Sequence, residues 1–267
     1  MILEALTWLT TPAPVWARKT GYLRELIAIE ARHRRRQRDW APHLEATRIV
    51  IREAIERCGR RRQALIYGSG LLLDIPLDAL SAAFETVTLV DAAHLRRTRR
   101  TARRFGNVGC IEADISGVAI GLQLGIAKGA DTLPRPIPPV LADNGSVDLV
   151  VSANLLTQLP LMPLHFLDRH PNFSEQARQD YARAIMQAHL DHLTAFDATC
   201  CLVAETEVQF IAADGSIQRT EDPLRGLSLP SEDRSWFWEV APRGEVSQSY
   251  GVRNIITATT TAPSQTE

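Results

Sequence analysis

Four stretches of this sequence place polar or flexible residues directly after short apolar runs. Ala64–Tyr67 runs into Gly68-Ser69-Gly70, Thr86–Val90 ends at Asp91, Val108–Ala113 ends at Asp114, and Val147–Ser152 leads to Ala153-Asn154. Glycine accepts backbone angles closed to other residues, so a turn built on Gly68 and Gly70 lets the main chain approach a ligand closely. A carboxylate after the second run, 23 positions beyond Gly68, is placed to accept hydrogen bonds from ribose hydroxyls. One after the third run can accept from an adenine amino group. Together the four ends outline a rim for a nucleoside.

A rim of that kind needs parallel strands, because ligands of open α/β sheets lie at the carboxyl ends of the strands, near the switch in strand order. The rest of the chain supplies the elements. Apolar residues at helical spacing predict a short helix over 1–12 and a helical stretch from Val15 to Cys58, broken in two at Trp40-Ala41-Pro42. Helices are also expected over Leu77–Phe84, over the Arg-rich Ala92–Phe105, and from about Phe173 to Phe196, with Asn172 as its cap and Glu175 three residues on. Gly117 to Asn144 reads as a Gly- and Pro-rich connection. Thr199–Phe210, Trp236–Val240 and Val252–Thr259 are strand candidates, with a hairpin signal at Ala212–Gly215. Apolar strands alternating with helices mean a sheet covered on both faces. The expected fold is therefore α/β: a Rossmann-like three-layer sandwich, mostly parallel, of about seven strands, with an antiparallel C-terminal edge and an N-terminal helical extension. The extension would span 1–58, the α/β domain 59–260, and a disordered tail 261–267.

At these residues the chain resembles the class I S-adenosylmethionine-dependent methyltransferase family, through LIYGSG, VTLVDAA, GCIEADISG and VDLVVSANLLTQLP, over about residues 60–165. The resemblance implies S-adenosylmethionine as cofactor and a small-molecule or protein substrate. Gly68, Ser69 and Gly70 would line the methionine part, Asp91 would bind the ribose, Asp114 the adenine edge, and Asn154 would face the sulfonium and the substrate. A nicotinamide enzyme fits less well, since the third glycine of G-x-G-x-x-G falls on Leu73. Two positions depart from the family pattern. Ile66 stands where an acidic residue is usual, and Leu72 where a third glycine is usual; Asp74 could supply a nearby carboxylate. Those departures motivate a second reading, a non-catalytic protein of the same fold that binds a partner through its Arg-rich N-terminal helices.

Other chemistry-bearing residues are weaker signals. Methyl transfer needs chiefly in-line positioning, so a dedicated base is not required. Asn154 and His165 are the catalytic candidates, with His170 also beyond the fourth strand. His189 and His192 share a helix face but lack a third ligand at zinc spacing, so they read as structural and no metal is expected. Trp236 and Trp238 point to one side of a strand, either into the core or toward a substrate. The four cysteines form no CxxC pair and read as free thiols.

Composition bounds the rest. A hydrophobic fraction of 45% and a net charge of −1 are those of an ordinary globular chain. No apolar run approaches the ~18 residues of a membrane span. The first residues carry an apolar patch with no basic residue ahead of it, the wrong order for a secretory signal, so a cytoplasmic protein is expected. Charge is divided unevenly: residues 1–110 hold 20 Lys+Arg against 11 Asp+Glu, and the remainder 10 against 20. The basic clusters at 33–38 and 96–104 read as solvated helix faces rather than a nucleic-acid surface, and the acidic half could meet the basic half of a second copy.

Overall fold

The computed structural model describes residues 2–127, 131–168, 172–230 and 232–263. Helices α1 (Ile2–Thr10), α2 (Val15–Thr20), α3 (Tyr22–Arg35) and α4 (Gln37–Arg57) precede the first strand. They are followed by β1 (Gln63–Tyr67), α5 (Leu77–Ala83), β2 (Thr86–Asp91), α6 (Arg96–Ala102), β3 (Val108–Glu112), α7 (Ala119–Ala127) and β4 (Val147–Ala153). A 3-10 turn at Leu156–Gln158, α8 (Leu161–Leu167), α9 (Glu175–Thr194), β5 (Thr199–Ile211), β6 (Ile217–Glu221), β7 (Arg234–Ala241) and β8 (Gly251–Thr261) complete the chain.

The strands form one sheet in the order β3-β2-β1-β4-β5-β8-β7, with β6 paired to the far end of β5. The pairs from β3 across to β5 are parallel. β8 is antiparallel to both β5 and β7. The reversed strand is thus one in from the edge, and the edge strand β7 runs with the first five. The chain steps outward from β1 through β2 to β3, then returns to the other side of β1 for β4, so the switch in strand order lies between β1 and β4. This is the Rossmann-like α/β sandwich expected from the alternation.

The alternation of β1 explains both layers. Ala64 and Ile66 pack on one face with Leu44, Ile51 and Ile55 of α4, Leu80 of α5 and Ala102 of α6. Leu65 and Tyr67 pack on the other with Tyr181, Ile185, Met186 and Leu193 of α9. α4 therefore belongs to the core layer of the sandwich, and α3 packs against the same core through Ile29.

Several boundaries differ from the sequence expectation. The break between the long helices falls at Arg36 rather than at Pro42, which sits inside α4. α4 runs on through Pro42 despite the lost N–H bond and the crowding of the carbonyl four residues back, whereas Glu245 clamps Arg35 and Arg36, each at 2.7 Å, where the chain turns. Gly21, with φ +98°, separates α2 from α3. α7 forms within the Gly-rich stretch because Asp114 caps it, its Oδ2 accepting from the Ala119 N–H at 2.6 Å. α9 is capped by Ser174, which accepts from the Ala177 N–H, rather than by Asn172. Of the expected tail, Thr261 ends β8 and 264–267 lie outside the described residues, as does His170. Part of the charge division is met within the chain: Arg35 and Arg36 pair with Glu245, Arg57 with Asp233 at 3.4 Å, and Arg62 with Asp148 at 2.7 Å. None of the four cysteines is in a disulfide. Among the described residues, no helix is long and apolar enough to cross a membrane and no cluster could hold a metal ion.

Candidate cofactor and substrate cavity

A cavity opens at the carboxyl ends of β1, β2, β3 and β4, where the strand order switches. With its mouth it encloses about 1190 Å³. Its floor is Gly68, Ser69, Gly70, Asp91, Ala92, Ala113, Ile115, Ser116, Ala153 and Asn154; its roof is α3 and α4, and Trp238 of β7 closes one end. The roof is held on by Leu23, Leu26 and Ile27, which pack on Ala93 and Leu95 after β2. An ion pair from Arg97 to Glu30 at 2.9 Å adds to it.

The glycine turn and Asp91 form one unit. Gly68 has φ +76°, and a Cβ there would come within 2.9 Å of both the Ala153 carbonyl and the Leu155 Cβ, so only glycine lets the first and fourth strand ends approach. Gly70, at φ +45°, donates its N–H to Asp91 Oδ2 at 2.7 Å, and Ala92 donates to Oδ1 at 2.7 Å. Burial raises the Asp91 carboxyl above the ordinary range, against His94 and these N–H groups. With the Ala93 N–H also directed at it, the carboxylate keeps acceptor capacity for one ligand hydroxyl.

Beneath the turn lies a closed polar chain. His94 Nδ1–H donates to Glu112 Oε1 at 2.8 Å, and its Nε2 meets Ser69 Oγ at 3.0 Å. Arg99 closes the chain on Glu112. The order Ser-His-Glu resembles a hydrolase triad, but Ser69 is 1% exposed and the neighbouring Gly70 N–H is already given to Asp91. An oxyanion would therefore find a carboxylate where it needs a donor. The chain instead ties the turn to the ends of β2 and β3.

The other side of the cavity is different. Asn154 holds φ +51°, and its Nδ2 donates to Asp74 Oδ2 at 2.7 Å. Asn154 Oδ1 is buried without a partner. Burial raises the Asp74 carboxyl. Trp236 Nε1 donates to His43 Nδ1 at 3.1 Å, which leaves the proton of the neutral ring on Nε2. His43 stacks on Trp238 at 4.1 Å, and desolvation holds its pKa down to about 3. The Trp238 indole N–H is also buried without a partner.

Of the residues singled out in the sequence, the fold brings Gly68, Ser69, Gly70, Asp91 and Asn154 to one cavity. Asp114 lies beside it, but its carboxylate is engaged by Ser116 Oγ and the Ala119 N–H as a helix cap. His165 does not line the cavity; it is on the exposed side of α8, 3.7 Å from Asp168. His189 and His192 are bonded to Ser152 and Tyr67 under the sheet. Neither Ile66 nor Leu72 lines the cavity: Ile66 is wholly in the core, and Leu72 packs against the same core with φ +60°, the left-handed angle of a glycine. Tyr22, Glu25, Trp40 and His43 carried no signal, because only the folding of α3 and α4 over the strand ends brings them in.

No protein-family model matches the chain, and no curated protein is similar to it in sequence. Among solved structures it is similar to 1,6-didemethyltoxoflavin-N1-methyltransferase of Burkholderia thailandensis with 1,6-didemethyltoxoflavin and S-adenosylhomocysteine bound. Identity is 14%, covering 94% of this chain and 92% of that one, with a TM-score of 0.42. It is also similar to a SAM-dependent methyltransferase of Leishmania major, at 14% identity over 96% and 81% of the two chains and a TM-score of 0.33. A third is precorrin 8w decarboxylase of Methanobacterium thermoautotrophicum, at 14% identity over 80% and 88% and a TM-score of 0.32.

Proposed function

We propose that the protein is an S-adenosylmethionine-dependent methyltransferase acting on a small molecule. The observation that carries this is the union of the Gly68–Gly70 turn with Asp91 through the Gly70 N–H, at the switch point of the sheet and open to a deep cavity. The residues present fit the group. At Gly70 a Cβ would stand 3.7 Å from Asp91 Oδ2, so a glycine keeps the space beside the carboxylate clear. Gly68, Ser69 and Gly70 would hold the methionine end, Asp91 a ribose hydroxyl, and Ala92, Ala113, Ile115 and Ser116 the adenine. Asp114 would act on the adenine only by leaving its cap. When bound, the cofactor supplies a methyl group activated by a sulfonium.

The chain's own residues do the remaining work. Asp74 fixes the Asn154 amide so that Oδ1 is offered to a ligand N–H or O–H. α3 and α4 exclude water, and Tyr22, its phenol pushed up by burial, hydrogen-bonds Ser116 across the adenine end at 3.4 Å. A partner-binding role for the Arg-rich helices draws no support from the fold, which uses Arg35, Arg36 and Arg57 within the chain.

Isothermal titration with S-adenosylhomocysteine tests the proposal. Saturable one-site binding is expected, weakened about 30-fold or more in Asp91→Ala, as the loss of a charged hydrogen-bond acceptor implies. Neither heat nor a thermal shift at millimolar ligand would overturn it.

A further inference from the structure

The cavity is larger than a turn and a carboxylate need, and its inner end has a chemistry of its own. Its ionisable lining is Glu25, Asp74, Asp91, Tyr22 and His43, with no lysine or arginine. An anionic ligand would meet three carboxyl groups and no cation. Rings dominate the same end: Trp40, His43 and Trp238, with Leu26, Ile29 and Leu44 beside them. Aromatic walls favour a flat ring, which stacks or packs edge-on against them.

Within this apolar end two donors are left over. Trp238 is 9% exposed, and its indole N–H has no acceptor. Trp40 and Trp236, by contrast, donate to the Val240 carbonyl at 3.0 Å and to His43 Nδ1. That second bond places the His43 proton on Nε2, which makes no hydrogen bond to a described residue; unlike the Trp238 N–H, it is not one of the fully buried atoms left without a partner. A buried donor without a partner costs about 1–3 kcal/mol, so its retention next to a cavity points to a ligand atom that completes it. Asn154 Oδ1 lines the same cavity and, among the described residues, is its one fully buried side-chain acceptor without a partner.

We infer that the space between α3, α4 and β7 is the acceptor-substrate pocket, and that it takes a flat, uncharged ring compound. Such a compound would offer a carbonyl oxygen or pyridine-type nitrogen to Trp238 and His43, and an N–H or O–H to Asn154. The pocket assignment stands on these residues alone; only its role as the methyl acceptor's pocket rests on the function proposed above.

The test uses the full chain and two probes of similar shape, 2-quinolone and quinoline-4-carboxylate, each titrated calorimetrically with and without S-adenosylhomocysteine. 2-Quinolone is expected to bind saturably at one site, and the carboxylate at least about tenfold more weakly. Trp238→Phe, which keeps a ring but removes the N–H, should weaken 2-quinolone about fivefold and leave S-adenosylhomocysteine unchanged. His43→Phe, which keeps the stack on Trp238, should do the same and serves if the first variant folds poorly. With 15N-labelled tryptophan, the Trp238 indole N–H signal should move on adding 2-quinolone. Equal binding of the carboxylate, unchanged quinolone affinity in both variants, or no saturable quinolone binding would overturn the inference. Quinolone binding by a protein that takes no S-adenosylhomocysteine would support the pocket and count against the methyltransferase.

Discussion

Two histidines flank the cavity, both buried, and they are built for opposite purposes. His94 is fully enclosed and uses both ring nitrogens, one on Glu112 and one on Ser69. His43 is equally enclosed, yet only its Nδ1 is used, by Trp236, while the ring lies flat on an indole whose own N–H is unpartnered. A closed network lowers the energy of one backbone arrangement; an open one leaves that gain to a ligand. The first therefore belongs to the scaffold of the turn, and the second to recognition.

The pH dependence of stability tests the open side first. Burial holds His43 and His189 at about 3, well below the ~6.5 of an exposed histidine. The unfolded chain takes up these protons first. Their contribution to stability is complete above about pH 6.5 and falls as pH drops toward 3, by up to about 1.4 kcal/mol per pH unit for each ring. The raised carboxyls of Asp74, Asp91 and Glu205 act in the opposite direction. The histidine part is therefore best read as a difference. Urea midpoints of wild type and His43→Phe between pH 7 and 5 should diverge, with the variant losing about 2 kcal/mol less over that range. Parallel pH profiles would mean that His43 is not buried neutral.

Of similar size is the effect at the scaffold histidine. His94→Phe leaves Glu112 with Arg99 only and Ser69 with the Val90 carbonyl at 3.3 Å. A cost of about 2–3 kcal/mol is expected, or a fall of about 5–10 °C in Tm for a chain of this size. S-adenosylhomocysteine should also bind more weakly, because the turn loses its tie to β2 and β3. His94→Gln should recover part of both. If Tm held while affinity fell, His94 would be a ligand-contacting group rather than a tie beneath the turn, and the contrast with His43 would fail.

Trp238→Phe probes the open side. It removes a donor that the protein does not use, so the stability cost should stay below about 1 kcal/mol, arising only from the smaller ring. A loss comparable with that of His94→Phe in thermal melts would show that the indole N–H has a partner in the free protein.

What was legible in the sequence follows the same division. The scaffold could be read because its signals are local: Ala64–Tyr67 with its glycines, and Asp91 and Asp114 closing later strands, each declare themselves within a few residues. Asp114 shows the limit of that reading, since the same local position serves equally well as the cap of α7, a helix hidden by the glycines at 121 and 125. The recognition end could not be read in advance. His43 and Trp238 lie 195 positions apart and meet only because α4 packs against β7. No periodicity in either segment refers to the other. His165 illustrates the converse: it follows the fourth strand in sequence as a rim residue should, yet the turn of α8 carries it to solvent.

The smallest expected effect concerns the turn above His94. Leu72 holds φ +60°, an angle costing a non-glycine residue about 1–2 kcal/mol, while its half-buried side chain packs against the main core. Leu72→Gly relieves that strain, but gives up the contact and adds about 0.5–1 kcal/mol of chain entropy in the unfolded state. The terms nearly cancel, so Tm should stay within a few degrees of wild type, where an unstrained core leucine cut back to Ala would cost about 2–5 kcal/mol. S-adenosylhomocysteine affinity should be unchanged, because the side chain at 72 does not line the cavity. The residue thus keeps the backbone of a glycine with the packing of a leucine: the turn after β1 holds its shape through Leu72 N–H to the Ser69 carbonyl at 2.9 Å. A large loss of cofactor affinity in Leu72→Gly would place position 72 in the site and make the departure from the glycine pattern functional rather than structural.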